Sequence, residues 1–142
     1  MPKPKEIGTT AERYVLNYLQ ANFWPGAERI VLHGSADQGD IGHCGDFIFE
    51  VKAGAQTAQE GNVAGWLAET RAEARHRGVK YGVLVTSRRG YGEKRVERWW
   101  AHMDATVFAD IVTDRGMIIS DPPAVRMELG DFLYWAVAHG AI

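Results

Sequence analysis

The chain has 142 residues, 46% hydrophobic and 24% charged, with a formal net charge of −2. That length suits one domain with one core, and the composition excludes a disordered chain. A single cysteine, Cys44, excludes an internal disulfide framework and a multi-cysteine zinc site, and no apolar run approaches the roughly 18 residues of a membrane span.

Residues 1–8 read as a flexible arm ahead of one domain over 9–142. No apolar segment follows Lys3 and Lys5, so no secretory signal is expected and a reducing, cytoplasmic compartment fits. Thr9-Thr10-Ala11-Glu12 opens a helix with Val15, Leu16, Leu19 and Phe23 at helical spacing, and Trp24-Pro25-Gly26 ends it. Thr9 and Glu12 have the spacing of a capping box, and Glu12 also borders the apolar stripe. Residues 28–32 read as a strand and 33–39 as a loop. A short strand over 40–43, a turn at Cys44-Gly45-Asp46 and a strand over 47–52 make a hairpin.

A small-residue loop over 53–59 leads to a helix over 60–77, with Val63, Leu67, Thr70 and Ala74 on one stripe and Gly78 as its stop. Residues 81–86 have the β-branched pattern of a buried strand. Residues 87–98 are polar, basic and glycine-containing and read as a loop or lid. A strand over 99–103, a helix over 105–112, a turn at Asp121-Pro122-Pro123, a strand over 125–129 and a helix over 131–139 complete the chain, with 117–119 ambiguous. Trp66 and Trp135 read as core. This order predicts an α/β fold with helices around a mixed sheet.

Chemistry concentrates at Asp40 and at Glu50-Val51-Lys52. On a strand, positions i and i+2 share a face, so Glu50 and Lys52 project together while Phe47, Phe49 and Val51 project oppositely. Charges on so apolar a strand need a partner or a task, because burying them is costly. Two acids and a lysine at the edge of a sheet can hold a divalent metal and activate a water against a phosphodiester; a salt bridge between Glu50 and Lys52 is the plainer alternative. Asp46 rivals Asp40 as the first acid, but Asp beside Gly in a turn is commonplace.

Residues 71–98 carry nine basic side chains against three acidic ones, in a chain otherwise net acidic. That asymmetry predicts a basic surface suited to phosphates.

Gly39-Asp40-Ile41 with Glu50-Val51-Lys52, after a helix bearing Glu12, resembles the PD-(D/E)XK nuclease superfamily, closest to its Holliday-junction resolvases and small phage-type relatives. The likeness covers roughly residues 8–90. Gly39 stands where the motif has proline, and the gap from Asp40 to Glu50 is short for the family. The resemblance implies a restriction-endonuclease-like mixed sheet flanked by helices and a Mg²⁺-dependent endodeoxyribonuclease, with Mn²⁺ as a possible substitute. It makes Glu12, Asp40, Glu50 and Lys52 catalytic, with Asp40, Glu50 and the Val51 carbonyl as metal ligands. Ser35 would assist at the phosphate, and Gln56 and Gln59 would lie near the substrate. Arg88, Arg89, Lys94 and Arg95 are expected to contact DNA phosphates, and Tyr91 to stack on a base or wedge a junction.

The expected partners are branched DNA and a second copy of the chain, in a homodimer matching a junction's two-fold symmetry through Trp99, Trp100, Tyr134 and Trp135. Alternatives are a nicking or repair endonuclease or an exonuclease of the same fold, and a nucleic-acid-binding module without chemistry. His43-Cys44 beside Asp40 and Asp46 imitates a transition-metal site only weakly.

Overall fold

The computed structural model describes residues 4–32, 35–58, 60–113 and 120–142, excluding the side chains of 4, 5, 31, 32, 35–39, 56, 58 and 60. Helix α1 (Pro4–Asn22) precedes three strands, β1 (Glu28–Leu32), β2 (Ser35–Cys44) and β3 (Phe47–Lys52). Helix α2 (Glu60–Arg77) crosses to β4 (Tyr81–Thr86), followed by β5 (Trp100–Asp104), α3 (Ala105–Thr113), β6 (Ala124–Glu128) and α4 (Leu129–Ala138). The six strands lie side by side in chain order. Neighbours are antiparallel except β3 and β4, which α2 joins in parallel. The protein is therefore α/β, with a mixed sheet flanked by helices.

The two faces of the sheet differ in chemistry. Phe47, Phe49 and Val51 of β3, Val83 and Val85 of β4 and Ala101 and Met103 of β5 join Val15 and Leu19 of α1 and Phe132 and Leu133 of α4 in one buried cluster. Phe47 is its hub, with ring centroids 5.6 Å from Trp24, 5.9 Å from Phe49 and 5.9 Å from Phe132. Burying each such ring contributes about 2–3 kcal/mol. The opposite face carries Glu50, Lys52, Thr86, His102 and Asp104, and α2 covers part of it with Leu67, Thr70 and Ala74 buried. Gly82 sets the separation there, since a Cβ on it would lie 2.7 Å from the Thr70 carbonyl oxygen.

Five local expectations change. The arm over residues 1–8 gives way to helix from Pro4 onward, because a proline in a helix's first turn forgoes only an amide that has no intrahelical acceptor there. Thr9 then lies inside α1, so the spacing to Glu12 is not a capping box. The loop over 33–39 is instead largely strand from Ser35, where the ladder to β1, irregular beyond Ile30, overrides its turn-like composition; residues 33–34 lie outside the described set. The basic segment after β4 is not an open lid. It forms a 3₁₀ turn, Glu93–Arg98, anchored by buried Val96 and by the Trp99 indole donating to the Tyr91 carbonyl at 2.7 Å. Trp135 is 43% exposed on α4 and not core. No helix of the described residues is long and apolar enough to cross a membrane.

Candidate active site and the adjoining arginine cleft

Asp40 and Glu50 are direct partners in the β2–β3 ladder. Directly paired residues share a face, and here it is the α2 face. Both carboxylates are buried, at 1% and 3% exposure. β3 is third of six strands, so the pair lies inside the sheet and not at its edge. The Thr70 hydroxyl sits 2.6 Å from Glu50 Oε2 and 2.8 Å from the Trp66 carbonyl, its single proton shared between these acceptors. Lys52 Nζ is 3.3 Å from Glu50 Oε1 and 5.7 Å from the centre of the Trp66 ring. Neither carboxylate oxygen of Asp40 has a hydrogen-bond partner among the described residues.

The electrostatics follow from that arrangement. Burial pushes the Asp40 carboxyl up to about 7; Glu50 and Glu73 push the same way, against Arg77 and Lys52. Burial also raises the Glu50 carboxyl, against the Thr70 hydrogen bond and the Lys52 ammonium. Two adjacent buried carboxylates without a full set of donors carry excess negative charge, which a proton or a cation must offset.

The donor chemistry fits a hard divalent cation, since Mg²⁺ is commonly held by one or two carboxylates with water in its remaining positions. Asp40 and Glu50 would supply the carboxylates. Val51 turns its side chain into the opposite core, so only its carbonyl could join them. Among the described residues no three His, Cys, Asp or Glu side chains gather at a metal-binding distance. His43 is exposed and pairs with Glu28 at 2.8 Å. Cys44 is buried, and burial pushes its thiol up to about 12, so the two form no metal site.

Glu12 is not brought to this group. Its carboxylate lies 2.7 Å from Arg29 Nε. Arg29 is in register with Ile41, whose side chain belongs to the core beneath α1. Glu12 and Arg29 thus sit on the α1 side of the sheet, and Asp40 and Glu50 on the other. Asp46 is exposed in the β2–β3 turn, 3.9 Å from Lys80. The side chains of Ser35 and Gln56, and all of Gln59, lie outside the described residues.

The basic segment is largely neutralised. Arg88 and Arg98 both bind Glu128 Oε2, at 2.6 and 2.9 Å, and Arg95 pairs with Glu97 at 3.3 Å. Arg71 pairs with Asp104 and Arg77 with Glu73. Tyr91 is no free stacking platform, because the Arg88, Arg95 and Arg98 guanidiniums lie over its ring at 4.7, 5.7 and 5.6 Å. Arg89 and Lys94 remain exposed.

Beside the carboxylates a cleft of about 1070 Å³ opens between the first half of α2 and the β4–β6 part of the sheet. Neither Asp40 nor Glu50 lines it. Thr86 does, and Thr86 is the register partner of Lys52. Lys52 therefore stands between the acidic pair and the cleft. Arg88, Arg89, Trp100, His102 and Arg126 complete the polar wall, and among the described residues no carboxylate lines it. The His102 ring nitrogen Nε2 is 2.9 Å from the Thr86 hydroxyl. Burial, then the Arg126 charge, lowers the imidazole to about 4.

Sequence reasoning missed Thr70, Trp66, His102 and Arg126. Only Thr70 left a signal, as the one hydroxyl on the buried stripe of α2. No family model matches this chain, and no curated protein or solved structure matches it significantly.

Proposed function

We propose that this protein is a metal-dependent endodeoxyribonuclease whose fold is restriction-endonuclease-like. The observation carrying this is the in-register, buried pair Asp40 and Glu50, with both Asp40 oxygens unpartnered and Lys52 two residues further along the same face. The chain order of α1, three antiparallel strands, α2 and a parallel β4 supports it, as does the resemblance of Asp40 and Glu50-Val51-Lys52 to the PD-(D/E)XK motif.

Each residue has a distinct role in this proposal. Asp40 and Glu50 would hold the cation, which would supply positive charge to offset the charge of the phosphate. Thr70 fixes the Glu50 carboxylate through its hydroxyl. Lys52, less buried than either acid, orients the attacking water and offsets phosphate charge where the site meets the cleft. The Trp66 ring, 5.7 Å from Lys52 Nζ, gives the ammonium a π-face to rest against.

The narrower form is a Holliday-junction resolvase acting as a homodimer. Tyr134, Trp135 and Val137, exposed together on α4, support an interface with a second copy. Trp99 is buried and Trp100 belongs to the cleft, so neither serves that interface.

One observation favours the module without chemistry: the acidic pair is closed to solvent while the arginine cleft beside it is open. Cleavage of a four-way junction, a linear duplex and a single strand separates the two. Mg²⁺-dependent cutting abolished by EDTA and by Glu50→Ala is expected, with Mn²⁺ substituting. Junction-selective cutting supports the resolvase. Tight binding without cutting in either metal overturns the nuclease.

A further inference from the structure

The cleft has a feature that holding DNA backbone alone does not require. Arg88 and Arg126, from the two sides of β5, place their guanidiniums 4.1 and 4.2 Å from the centre of the Trp100 ring. Arg88 is also held by Glu128 and by the Arg98 carbonyl, at 2.6 and 3.1 Å. Arg126 is different. It is exposed, stacked on Trp100, and has no carboxylate partner among the described residues. Its plane is thus ordered before any ligand arrives, its outer side is open, and its charge is not neutralised. A stacked guanidinium offers a flat cationic face to a nucleobase and N–H edges to a phosphate. The rest of the wall fits the same ligand. Arg89 adds a second unneutralised charge, while Gly54, Ala64 and Thr57 keep the opposite side small. In a chain of net charge −2, a pocket whose described lining holds Arg89 and Arg126 without a carboxylate partner, beside the Glu128-paired Arg88, attracts anions locally.

We propose that this cleft receives an unpaired stretch of DNA strand next to the cleavage point, with one base stacked on Arg126 and its phosphates drawn to Arg89. The substrate class is then DNA splayed or single-stranded beside the cut, because a base inside a duplex has no free face to offer Arg126. The direction of the strand, towards Lys52 past Thr86, rests on the nuclease reading; occupancy of the cleft does not.

The test is binding in EDTA, followed by anisotropy of a short labelled oligonucleotide, so it is independent of cutting. Wild type is expected to bind a single strand more tightly than the matching duplex. Arg126→Gln weakens single-strand binding roughly tenfold and lowers its salt dependence by about 0.7 in log–log slope. Arg126→Lys restores the salt slope but not the affinity, because lysine has charge without a plane. Ala64→Trp, which fills the cleft without changing charge, weakens binding at least as much and stands in if the arginine variants unfold. Unchanged binding in folded Arg126→Gln and Ala64→Trp overturns the proposal. So does equal affinity for duplex, or competition by inorganic polyphosphate or a free mononucleotide as effective as the strand itself. Cleft-dependent binding with no cutting in Mg²⁺ would remove the nuclease and leave this site standing.

Discussion

Asp40 and His102 lie in one register row across the sheet, Asp40 opposite Glu50, Glu50 opposite Leu84, Leu84 opposite His102 and His102 opposite Arg126. All five positions face α2. Leu84 is the single apolar residue of this row, between the two acids and the His102–Arg126 pair. The acids would hold a cation and the arginines would draw a polyanion.

The two buried groups of this row give opposite pH dependences. Asp40 rises from 3.8 unfolded to about 7 folded, so below pH 7 the folded state holds the extra proton and stability increases as pH falls towards 4. His102 falls from 6.5 to about 4, so below pH 6.5 the unfolded state holds the extra proton and stability decreases over the same range. At most about 4 and 3 kcal/mol respectively are at stake. The two largely cancel between pH 4 and 6.5. Urea unfolding across that range should therefore show a steeper acid loss in Asp40→Asn than in wild type, and a shallower loss or a gain in His102→Gln. Parallel profiles for all three proteins would show that neither group is buried as described.

Cation binding should appear as stability before it appears as chemistry. At pH 8, Mg²⁺ at ten times its dissociation constant adds about 1.4 kcal/mol to the folded state, raising the melting temperature by several degrees. The rise should shrink at pH 6, where Asp40 is mostly protonated, and vanish in Asp40→Asn. A shift of equal size in Asp40→Asn would place the cation elsewhere.

In the proposed reaction Thr70 would act through Glu50, as a positioning residue. Its hydroxyl lowers the Glu50 carboxyl against burial. Thr70→Val keeps the shape and removes the donor, at a cost of about 1–3 kcal/mol to a carboxylate left without it. The expected effect is a shift of the acid limb of the cleavage profile to higher pH, with activity partly recovered at pH 9 and in Thr70→Ser. A uniform loss at every pH would indicate a packing role only.

How much of this was legible in the sequence depended on the range of the interaction. The alternation in β3 is local, so Glu50 and Lys52 on one face and Phe47, Phe49 and Val51 on the other followed from period two. The choice of Asp40 over Asp46 needed the register across the β2–β3 turn, which only the ladder supplies. Glu12 was misleading because an amphipathic stripe shows that a helix covers a sheet but not which face it covers. The cleft was invisible because Trp100, Arg126 and Arg88 lie on segments far apart in the chain, brought together by the placement of β5 and β6. The basic excess over residues 71–98 was real, but most of its charges meet carboxylates that composition cannot assign.

Glu12 tests this partition between the faces directly. In the superfamily that the motif resembles, an acid on the first helix would belong to the active site; here its carboxylate holds Arg29 on the far side of the sheet. Glu12→Gln keeps the side chain's volume and weakens that ion pair. Because Arg29 is partly exposed, the loss is on the order of 1 kcal/mol, a drop of a few degrees in melting temperature. Cleavage by folded Glu12→Gln at saturating Mg²⁺ should stay within about twofold of wild type, whereas Lys52→Ala should lose about a hundredfold or more. If Glu12→Gln instead cuts as poorly as Lys52→Ala while melting like wild type, Glu12 reaches the scissile phosphate, and the face assignment of α1 relative to Asp40 and Glu50 is wrong.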